Sequence, residues 1–272
     1  MSSAGIAPDA VPHLTSEAPG PVLAAGRDAD VYALDEERVL RRYRSGRSAM
    51  HEVLLMRHVH DHGFPAPATY RADGPDLEME RLHGPTLLQA LAAEEVSLAD
   101  GAQVLADLHT RLHAIPAPLV PVPDPLAAGP SGTRAPLAPP LLTDVPATET
   151  VVHLDLNPAN IILTEAHGPT LVDWANATTG PAALDIAMTS IIIAEVAVDA
   201  GGVYSQAARA LLVAFLAAAH VDPRPQLAAA ARYRSRDVNL VPGERELVPV
   251  AADLVRHYAD IAFGDHRFDT DN

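Results

Sequence analysis

The most informative segment of this chain reads His153-Leu154-Asp155-Leu156-Asn157-Pro158-Ala159-Asn160. Proline cannot donate to a β ladder and interrupts a helix, so Pro158 indicates that the segment is a loop. Two short apolar runs follow at residues 161–163 and 170–172, with polar turn residues between them. We therefore expect a β-hairpin whose two ends bring Asn160 close to Asp173.

These positions would place one amide oxygen and one carboxylate side by side. Mg²⁺ prefers such hard oxygen ligands and usually takes only one or two from the protein, together with substrate phosphates. Asp155, a turn away, is free to accept a proton from an attacking hydroxyl. The order of Asp155, Asn160 and Asp173 thus suits holding Mg²⁺-ATP and transferring its terminal phosphate to a hydroxyl. A hairpin with a capped aspartate and a solvated asparagine would explain each residue singly, but not their joint spacing.

The segment resembles the catalytic loop of protein kinases, H-R-D-L-x-x-x-N, at every fixed position except Arg, where Leu154 stands. Asp173 lies where that fold keeps its metal-binding aspartate. The continuation Trp174-Ala175-Asn176 departs from Phe-Gly and is similar to the aminoglycoside phosphotransferase and choline kinase-like family. The resemblance implies an α+β, bilobal protein-kinase-like fold. Its N-lobe would be a small antiparallel sheet with one helix, and its C-lobe would be larger and mainly helical.

Composition along the chain fits two lobes. Residues 1–20 form a polar, Pro- and Ala-rich stretch that predicts a disordered tail. Residues 21–82 alternate strand-like runs with turns and would be the nucleotide-binding lobe, whereas residues 83–272 would be the catalytic and acceptor-binding lobe. Within the latter, residues 115–149 contain ten prolines and predict an extended connector.

In the resembled fold, the N-lobe grips the nucleotide phosphates. The loop at Gly26 would lie over them, although kinase loops often have three glycines and an ordinary hairpin turn is equally compatible. Arg41, with Arg42 as the fallback, stands where kinases use lysine, or both arginines merely flank a solvated strand. Glu52, in a helix that Ser48 would cap, is expected to pair with Arg41, or to compensate the helix dipole.

The resemblance also assigns supporting positions. Glu80 and Leu82, in the connection between the lobes, would offer main-chain groups to adenine, and Met79 would line that pocket or belong to the core. His153 is expected to support the catalytic loop by hydrogen bonding. Asp185, in the first turn of an apolar helix, would hydrogen-bond the backbone of the same loop, which is a structural role.

Two other classes of function remain open. A non-catalytic nucleotide-binding module is favoured by the arginine in place of lysine and by the glycine-poor loop. A metal-dependent hydrolase would use His153, Asp155 and Asp173. His109 and His113 share a helix face at a spacing that can bind zinc, but no glutamate in an H-E-x-x-H pattern and no third ligand accompany them, so we interpret both as surface or packing histidines.

The composition limits the kinds of partner that the protein is expected to bind. The chain has no cysteine, and its net charge of −16 offers no basic face for nucleic acid. The longest apolar runs fall short of a membrane span, and no N-terminal signal is apparent, so we expect a cytoplasmic protein with no membrane partner. The oligomeric state is left open.

The acceptor is expected to be a small molecule with a hydroxyl group, such as an aminoglycoside-, choline- or sugar-like compound. The acidic balance could steer a cationic substrate, or could simply keep the protein soluble. Asp237, Glu244 and Glu246 could meet an amine on the acceptor, or could equally be solvated.

Overall fold

A computed structural model of the chain describes residues 20–118, 149–199, 201–237, 240–241 and 243–264. The predicted tail (1–20) and connector (115–149) lie almost wholly outside the described residues. Five antiparallel strands open the fold, in the order β1-β2-β3-β5-β4. Their bounds are β1 Val22–Ala25, β2 Ala29–Ala33, β3 Arg38–Tyr43, β4 Thr69–Asp73 and β5 Asp76–Glu80. The strands expected in this region are therefore all present, with ends shifted by a few residues.

One helix, α1 (Met50–Asp61), crosses between β3 and β4 and buries Val53, Leu55 and Met56 among other residues. The sequence predicts Ser48 as its N-cap, but the N-cap position falls one residue later, on Ala49, while Ser48 Oγ still accepts from the Met50 N–H at 3.2 Å. The Ala49 N–H donates to the carbonyl oxygen of Gly74 at 2.8 Å, which ties the start of the helix to the turn between β4 and β5. Gly63 follows the end of the helix in the left-handed region, at φ 75°.

The rest of the described chain is mainly helical. Its helices are α2 Leu87–Ala92, α3 Leu98–His113, α4 Ala182–Asp199, α5 Gly202–Ala218, α6 Arg224–Ser235 and α7 Glu244–Ala262. Helix α4 is buried on most of its surface and packs against α5, α6 and α7, which explains its apolar sequence. Helix α3 is capped by Ser97, whose side chain accepts a hydrogen bond from the Asp100 N–H, as is typical of serine at this position. No described helix is both long and apolar enough to cross a membrane.

Four short strands lie between α3 and α4 and form two antiparallel pairs. They are β6 Thr150–Val152, β7 Ile161–Thr164, β8 Gly168–Leu171 and β9 Thr178–Gly180. The β7–β8 hairpin is the one expected from the sequence, but its turn is shorter because Thr164 pairs with Gly168. Thr178–Gly180 forms a strand that pairs with Thr150–Val152, although the sequence Thr179-Gly180-Pro181 is typical of a turn. Val151 and Val152 are completely buried in this pairing.

The segment that connects the five-stranded sheet to helix α2 lies in close contact with the β7–β8 hairpin. Gly84 has φ 149°, and a Cβ atom added there would lie 2.0 Å from the carbonyl oxygen of Leu163. One residue later, the Pro85 carbonyl accepts a hydrogen bond of 2.9 Å from the Leu163 N–H. This close approach fixes the sheet beside strand β7, and hence beside the loop that precedes β7.

Gly84→Ala should destabilise the protein by roughly 2–4 kcal/mol, because the substitution adds a steric clash to an unfavourable φ. Gly74→Ala is the matched control: its φ is also positive, at 54°, but an added Cβ meets nothing within 4 Å. Only the conformational strain should be felt there, about 1 kcal/mol. Urea denaturation of both variants measures the difference, and equal losses would show that the contact with Leu163 does not constrain the connection.

Candidate active site

The open end of the β7–β8 hairpin brings together the two residues expected to be neighbours. Ile161 pairs with Leu171, and the Val172 N–H donates to the carbonyl oxygen of Asn160 at 2.9 Å. Asp173 follows directly and is 39% exposed at its side chain. The hairpin therefore places Asn160 next to Val172 and the start of the Asp173 segment, as its sequence predicts.

Asp155 is held by two amides of its own loop. Its Oδ1 accepts from Asn157 Nδ2 at 3.0 Å, and its Oδ2 accepts from Asn160 Nδ2 at 2.9 Å. Burial raises the pKa of Asp155 to about 7, and the negative charge of Asp173 acts in the same direction, while Arg234 and the two amides oppose them. A carboxyl group with this pKa exchanges its proton near neutral pH, which is the property required of a general base.

Asn160 uses its amide nitrogen twice, because Nδ2 also donates to the Asp155 carbonyl oxygen at 2.9 Å. Its Oδ1 is consequently turned away from the loop and remains available to a cation or another donor. Asn157 was not recognised as a site residue from the sequence. Its Oδ1 accepts from the Ala159 N–H at 2.9 Å, and the Asn-Pro pair that begins this short turn was the available signal.

Arg41 connects the sheet, helix α1 and the hairpin. Its Nη2 lies 2.5 Å from Asp173 Oδ1, and its Nε lies 3.6 Å from Glu52 Oε2. The ion pair expected between Glu52 and Arg41 is therefore present, and a hydrogen bond from the Tyr43 hydroxyl to Glu52 Oε2 adds to it. Both Arg41 and Glu52 are buried. The contact between Arg41 and Asp173 joins the two parts of the fold directly.

The electrostatics of this cluster follow from burial and from the arginine. Burial raises the pKa of Glu52, and the positive charge of Arg41 partly offsets this effect. Burial would also raise the pKa of Asp173, but the Arg41 guanidinium outweighs burial and holds that pKa below its ordinary value. Asp173 is therefore ionised at neutral pH, while Asp155 titrates there.

Arg42, the fallback for the phosphate-binding cation, does not face the site. Its Nε and Nη2 each lie 2.7 Å from the carboxylate of Asp76 on strand β5. Successive side chains of a strand point to opposite faces of the sheet, so Arg41 and Arg42 cannot both reach the hairpin. Arg41 is the one that does.

Asp185 and His153 hold the backbone of the loop. The carboxylate of Asp185 accepts from the Leu154 N–H at 2.7 Å and from the His153 N–H at 3.1 Å. The His153 ring lies between the Val172 carbonyl, 3.2 Å from Nε2, and the Asp155 N–H, 3.3 Å from Nδ1. Burial lowers the pKa of His153, so the ring is neutral and both nitrogens are engaged with backbone. This arrangement leaves His153 no role as the base that a hydrolase would require.

Two residues of the site adopt left-handed backbone conformations that are uncommon for side chains other than glycine. Leu154 and Asp173 both have φ 61°. Each such conformation costs about 1–2 kcal/mol and persists only where the surroundings enforce it. Asp185 supplies the constraint at Leu154, and Arg41 together with the buried Trp174 supplies it at Asp173.

The remaining predicted nucleotide contacts are placed as follows. The Gly26 N–H donates to the Ala29 carbonyl at 2.9 Å, which closes a tight turn between β1 and β2. Met79 is buried in the core. The Glu80 N–H is already bonded to the Ala68 carbonyl at 2.8 Å, so an adenine contact from Glu80 would fall to its carbonyl oxygen. Leu82 is partly exposed in the connection.

The acidic residues considered for an amine-bearing acceptor all have partners within the described chain. Asp237 lies 3.2 Å from Arg234 Nη1, and both oxygens of Glu244 lie 2.9 Å from the guanidinium of Arg27. The Glu246 side chain accepts from the Gly243 N–H at the start of α7. The structure thus assigns each of them a contact within the protein.

Arg234 is the functional candidate that sequence reasoning missed. It lies on α6, pairs with Glu195 of α4 at 2.9 Å, and its charge lowers the pKa of Asp155. A small cavity beside the catalytic loop is lined by Leu154, Asn176, Met188, Tyr233, Arg234 and Asp237. No local pattern in an alanine-rich helix signals such a contact, because it depends on how α6 packs against α4.

The raised pKa of Asp155 predicts a pH-dependent stability. The unfolded chain releases this proton near pH 4 and the folded protein near pH 7, so the folded state binds more protons between these values. The free energy of unfolding should therefore fall as pH rises from 4 to 7 and lose this dependence above 7. Asp155→Asn removes that decline and should be more stable than the parent at pH 8.

Urea denaturation at pH 5 and pH 8 tests this expectation, with Asp61→Asn as the control at an exposed carboxylate. The assignment of the perturbed group to Asp155 is wrong if both variants change stability alike at the two pH values.

Three comparisons show which known proteins this chain resembles. A profile of the phosphotransferase enzyme family, APH, matches residues 20–142 and 132–229. No curated protein matches the chain. Among solved structures, the gentamicin complex of APH(2'')-IIa has 17% sequence identity and a TM-score of 0.54, and the alignment covers 89% of this chain and 92% of that one.

Two further solved structures are similar in fold to this chain. A thermostable mutant of aminoglycoside phosphotransferase APH(4)-Ia, in a ternary complex with AMP-PNP and hygromycin B, has 16% identity, 90% and 94% coverage and a TM-score of 0.55. The streptomycin–ATP–APH(2'')-IIa ternary complex has 16% identity, 82% and 86% coverage and a TM-score of 0.52. At such identities the likeness shows the fold alone, and the expected protein-kinase-like architecture is confirmed. By the match over most of its length, the chain belongs to the phosphotransferase enzyme family.

Proposed function

We propose that this protein is an ATP-dependent small-molecule kinase, which transfers the γ-phosphate of Mg²⁺-ATP to a hydroxyl group. The observation that carries the proposal is the position of Arg41, which is held between Glu52 and Asp173 beside the Asp155–Asn160 loop. Phosphoryl transfer depends on positioning and on neutralising charge, and this arrangement provides a fixed cation, an ionised carboxylate and a titrating carboxyl.

The residues present fit a magnesium ion. Asp173 offers a partly exposed, ionised carboxylate, and Asn160 offers an amide oxygen that its own hydrogen bonds turn away from the loop. A set of two oxygen donors, completed by phosphate and water, is the kind that Mg²⁺ accepts. Bound there, the ion would neutralise charge on the transferring phosphate. Within the described chain, no three His, Cys, Asp or Glu side chains cluster as a metal site. The described side chains alone would therefore not surround the ion.

Asp155 is the proposed general base. Its carboxylate would accept the proton of the acceptor hydroxyl as the oxygen forms its bond to phosphorus and the bond to the ADP oxygen breaks. The hydrogen bonds from Asn157 and Asn160 fix the orientation of the carboxylate before the acceptor arrives. A positioned base of this kind contributes about 10²- to 10⁴-fold to the rate.

The five-stranded sheet and α1 would bind the nucleotide. Arg41 would anchor the α- and β-phosphates, and the turn at Gly26 would lie over them, while Met79, Glu80 and Leu82 would surround the base. We retain the division into a nucleotide-binding lobe over residues 21–82 and an acceptor lobe over residues 83–272 as part of this proposal. Such an enzyme would act in the cytoplasm, where ATP is supplied.

The acceptor is proposed to be a small molecule and not a protein. Leu154 replaces the arginine that would pair with a phosphorylated activation loop, and residues 174–181 leave little chain between Asp173 and α4 for such a loop. Aminoglycoside-, choline- and sugar-like compounds all offer a suitable hydroxyl. APH(4)-Ia and APH(2'')-IIa are seen with hygromycin B, streptomycin and gentamicin, so compounds of this class are the first to screen.

Asp155→Asn should lower turnover by about 10²- to 10⁴-fold and leave nucleotide affinity unchanged, because it removes the proton acceptor but not the phosphate contacts. A coupled assay of ADP release, run over amino alcohols, aminoglycosides, macrolides and sugars, measures the effect. Asp107→Asn, at an exposed carboxylate of α3, is the control that should keep full activity. Turnover by Asp155→Asn at the parent rate would contradict the assignment of the base.

Arg41→Ala should abolish most of the rise in melting temperature that Mg²⁺-ATP produces, because it removes the anchoring cation and leaves Glu52 buried without its partner. Arg42→Ala is the matched control, since the adjacent arginine pairs with Asp76 and faces away from the site. Equal nucleotide shifts in both variants would reject Arg41 as the anchor. A shift in the parent without ADP release for any acceptor would favour the non-catalytic nucleotide-binding module.

A further inference from the structure

A chain of side-chain contacts runs from the surface to the catalytic loop through two histidines. His220, exposed after α5, has its Nε2 3.2 Å from His113 Nδ1. His113, at the end of α3, has its Nε2 3.0 Å from Asp185 Oδ2. The same Asp185 carboxylate accepts the backbone N–H groups of His153 and Leu154. Through Asp185, His113 is thus connected to the residues that precede Asp155.

The carboxylate of Asp185 fixes which nitrogen of His113 carries a proton. Asp185 can only accept, because its pKa lies well below the ordinary value: burial would raise it, but the hydrogen bond from His113 outweighs burial. His113 Nε2 must therefore carry a proton. At the other end, Thr110 Oγ1 lies 2.9 Å from the Ala106 carbonyl and 3.2 Å from His220 Nδ1, and its hydroxyl proton can be donated to either acceptor.

The contact between the rings completes the chain. Two neutral imidazoles satisfy all three contacts when Thr110 Oγ1 donates to His220 Nδ1, His220 Nε2 donates to His113 Nδ1 and His113 Nε2 donates to Asp185. Both nitrogens of His113 are then engaged, so its ring has one orientation, with its donor facing Asp185.

We propose that His113 is a positioning residue for phosphoryl transfer, which donates a hydrogen bond from Nε2 and thereby fixes the Asp185 carboxylate against the backbone of residues 153 and 154. The inference rests on the proposed function for its effect on turnover, but not for the hydrogen bond to Asp185. His113 acts through Asp185 and touches no reacting atom.

The other histidines near Asp185 do not replace His113 as its side-chain donor. His109, on the same helix, has its ring centroid 5.4 Å from that of His113, and burial lowers its pKa to about 4. Its Nδ1 contacts the Leu105 carbonyl and its Nε2 contacts Thr189. His153 reaches Asp185 through its backbone N–H, while its ring contacts the backbone of Val172 and Asp155. Among the described histidines, His113 is therefore the one whose ring bonds to the Asp185 carboxylate.

The hydrogen bond to Asp185 can be observed directly in the intact protein. Two-dimensional ¹⁵N spectra of the imidazoles, recorded without nucleotide, distinguish protonated from bare nitrogens. We expect a proton on Nε2 of His113, and we expect His220→Gln to change the spectrum of His113. A bare Nε2 on His113 would overturn the proposal, whether or not the protein turns over ATP.

Two variants test the coupling to the loop. His113→Leu removes the donor to Asp185, and His113→Gln keeps a neutral donor should the leucine variant fold poorly. Either should speed amide hydrogen exchange at Leu154 and lower kcat by about 10- to 100-fold, with the KM for ATP unchanged, because a loop displaced by about 1 Å misplaces Asp155. His62→Gln is the control: it removes an exposed histidine whose ring also lies beside that of a second histidine, His58, but at the end of α1.

The outcomes separate the two proposals. Faster exchange at Leu154 in the His113 variants without turnover of any acceptor by the parent would support the positioning role and reject the kinase function. Exchange and kcat equal to those of His62→Gln would reject the role of His113 while leaving the kinase function intact.

Discussion

The buried guanidinium of Arg41 is the interaction on which the rest of the site depends. It lies between Glu52 of α1 and Asp173 of the hairpin, so one side chain joins the sheet, the helix and the loop. Arg41 and Glu52 are buried, whereas Asp173 is partly exposed. Burying a charge costs several kcal/mol per ion, and mutual attraction offsets this cost only when the geometry is kept. Removal of Arg41 would leave Glu52 buried and uncompensated, so the same cluster that binds phosphate in our proposal also holds the two parts of the fold together.

The loop at residues 153–160 is held in a comparable way by hydrogen bonds from other elements. Leu154 and Asp173 occupy unfavourable backbone conformations on either side of the hairpin, and each is held by a charged side chain from a different element. Asp185 accepts three hydrogen bonds, from two backbone N–H groups and from His113. A carboxylate that accepts several hydrogen bonds while buried has one orientation only, and it transfers this rigidity to Asp155 two residues along the chain.

Much of this arrangement could be predicted from the sequence because it is local. The hairpin, the order of Asp155, Asn160 and Asp173, and the helices all follow from turn residues and periodicity over short windows. The pairing of β6 with β9 could not be predicted, because Thr150–Val152 and Thr178–Gly180 are distant in sequence and are too short to show a period. The N-cap of α1 lies one residue from the predicted one, at Ala49, whose N–H donates to the turn at Gly74, a contact that no local pattern indicates.

The contacts of Arg234 and Arg27 could not be predicted from the sequence either, because they also join distant segments. They change the interpretation of the net charge. The chain carries −16, which suggested that acidity might steer a cationic acceptor. Near the site, however, Glu195 and Asp237 pair with Arg234, and Glu244 pairs with Arg27. Three carboxylates are opposed by two guanidiniums, so little of the net charge is concentrated there. Attraction over a distance would be screened within about 10 Å at 0.1 M salt. For the proposed kinase, discrimination between acceptors would therefore rest on hydrogen bonds and shape at the site, where each unmatched polar group costs free energy, and not on the overall acidity of the protein.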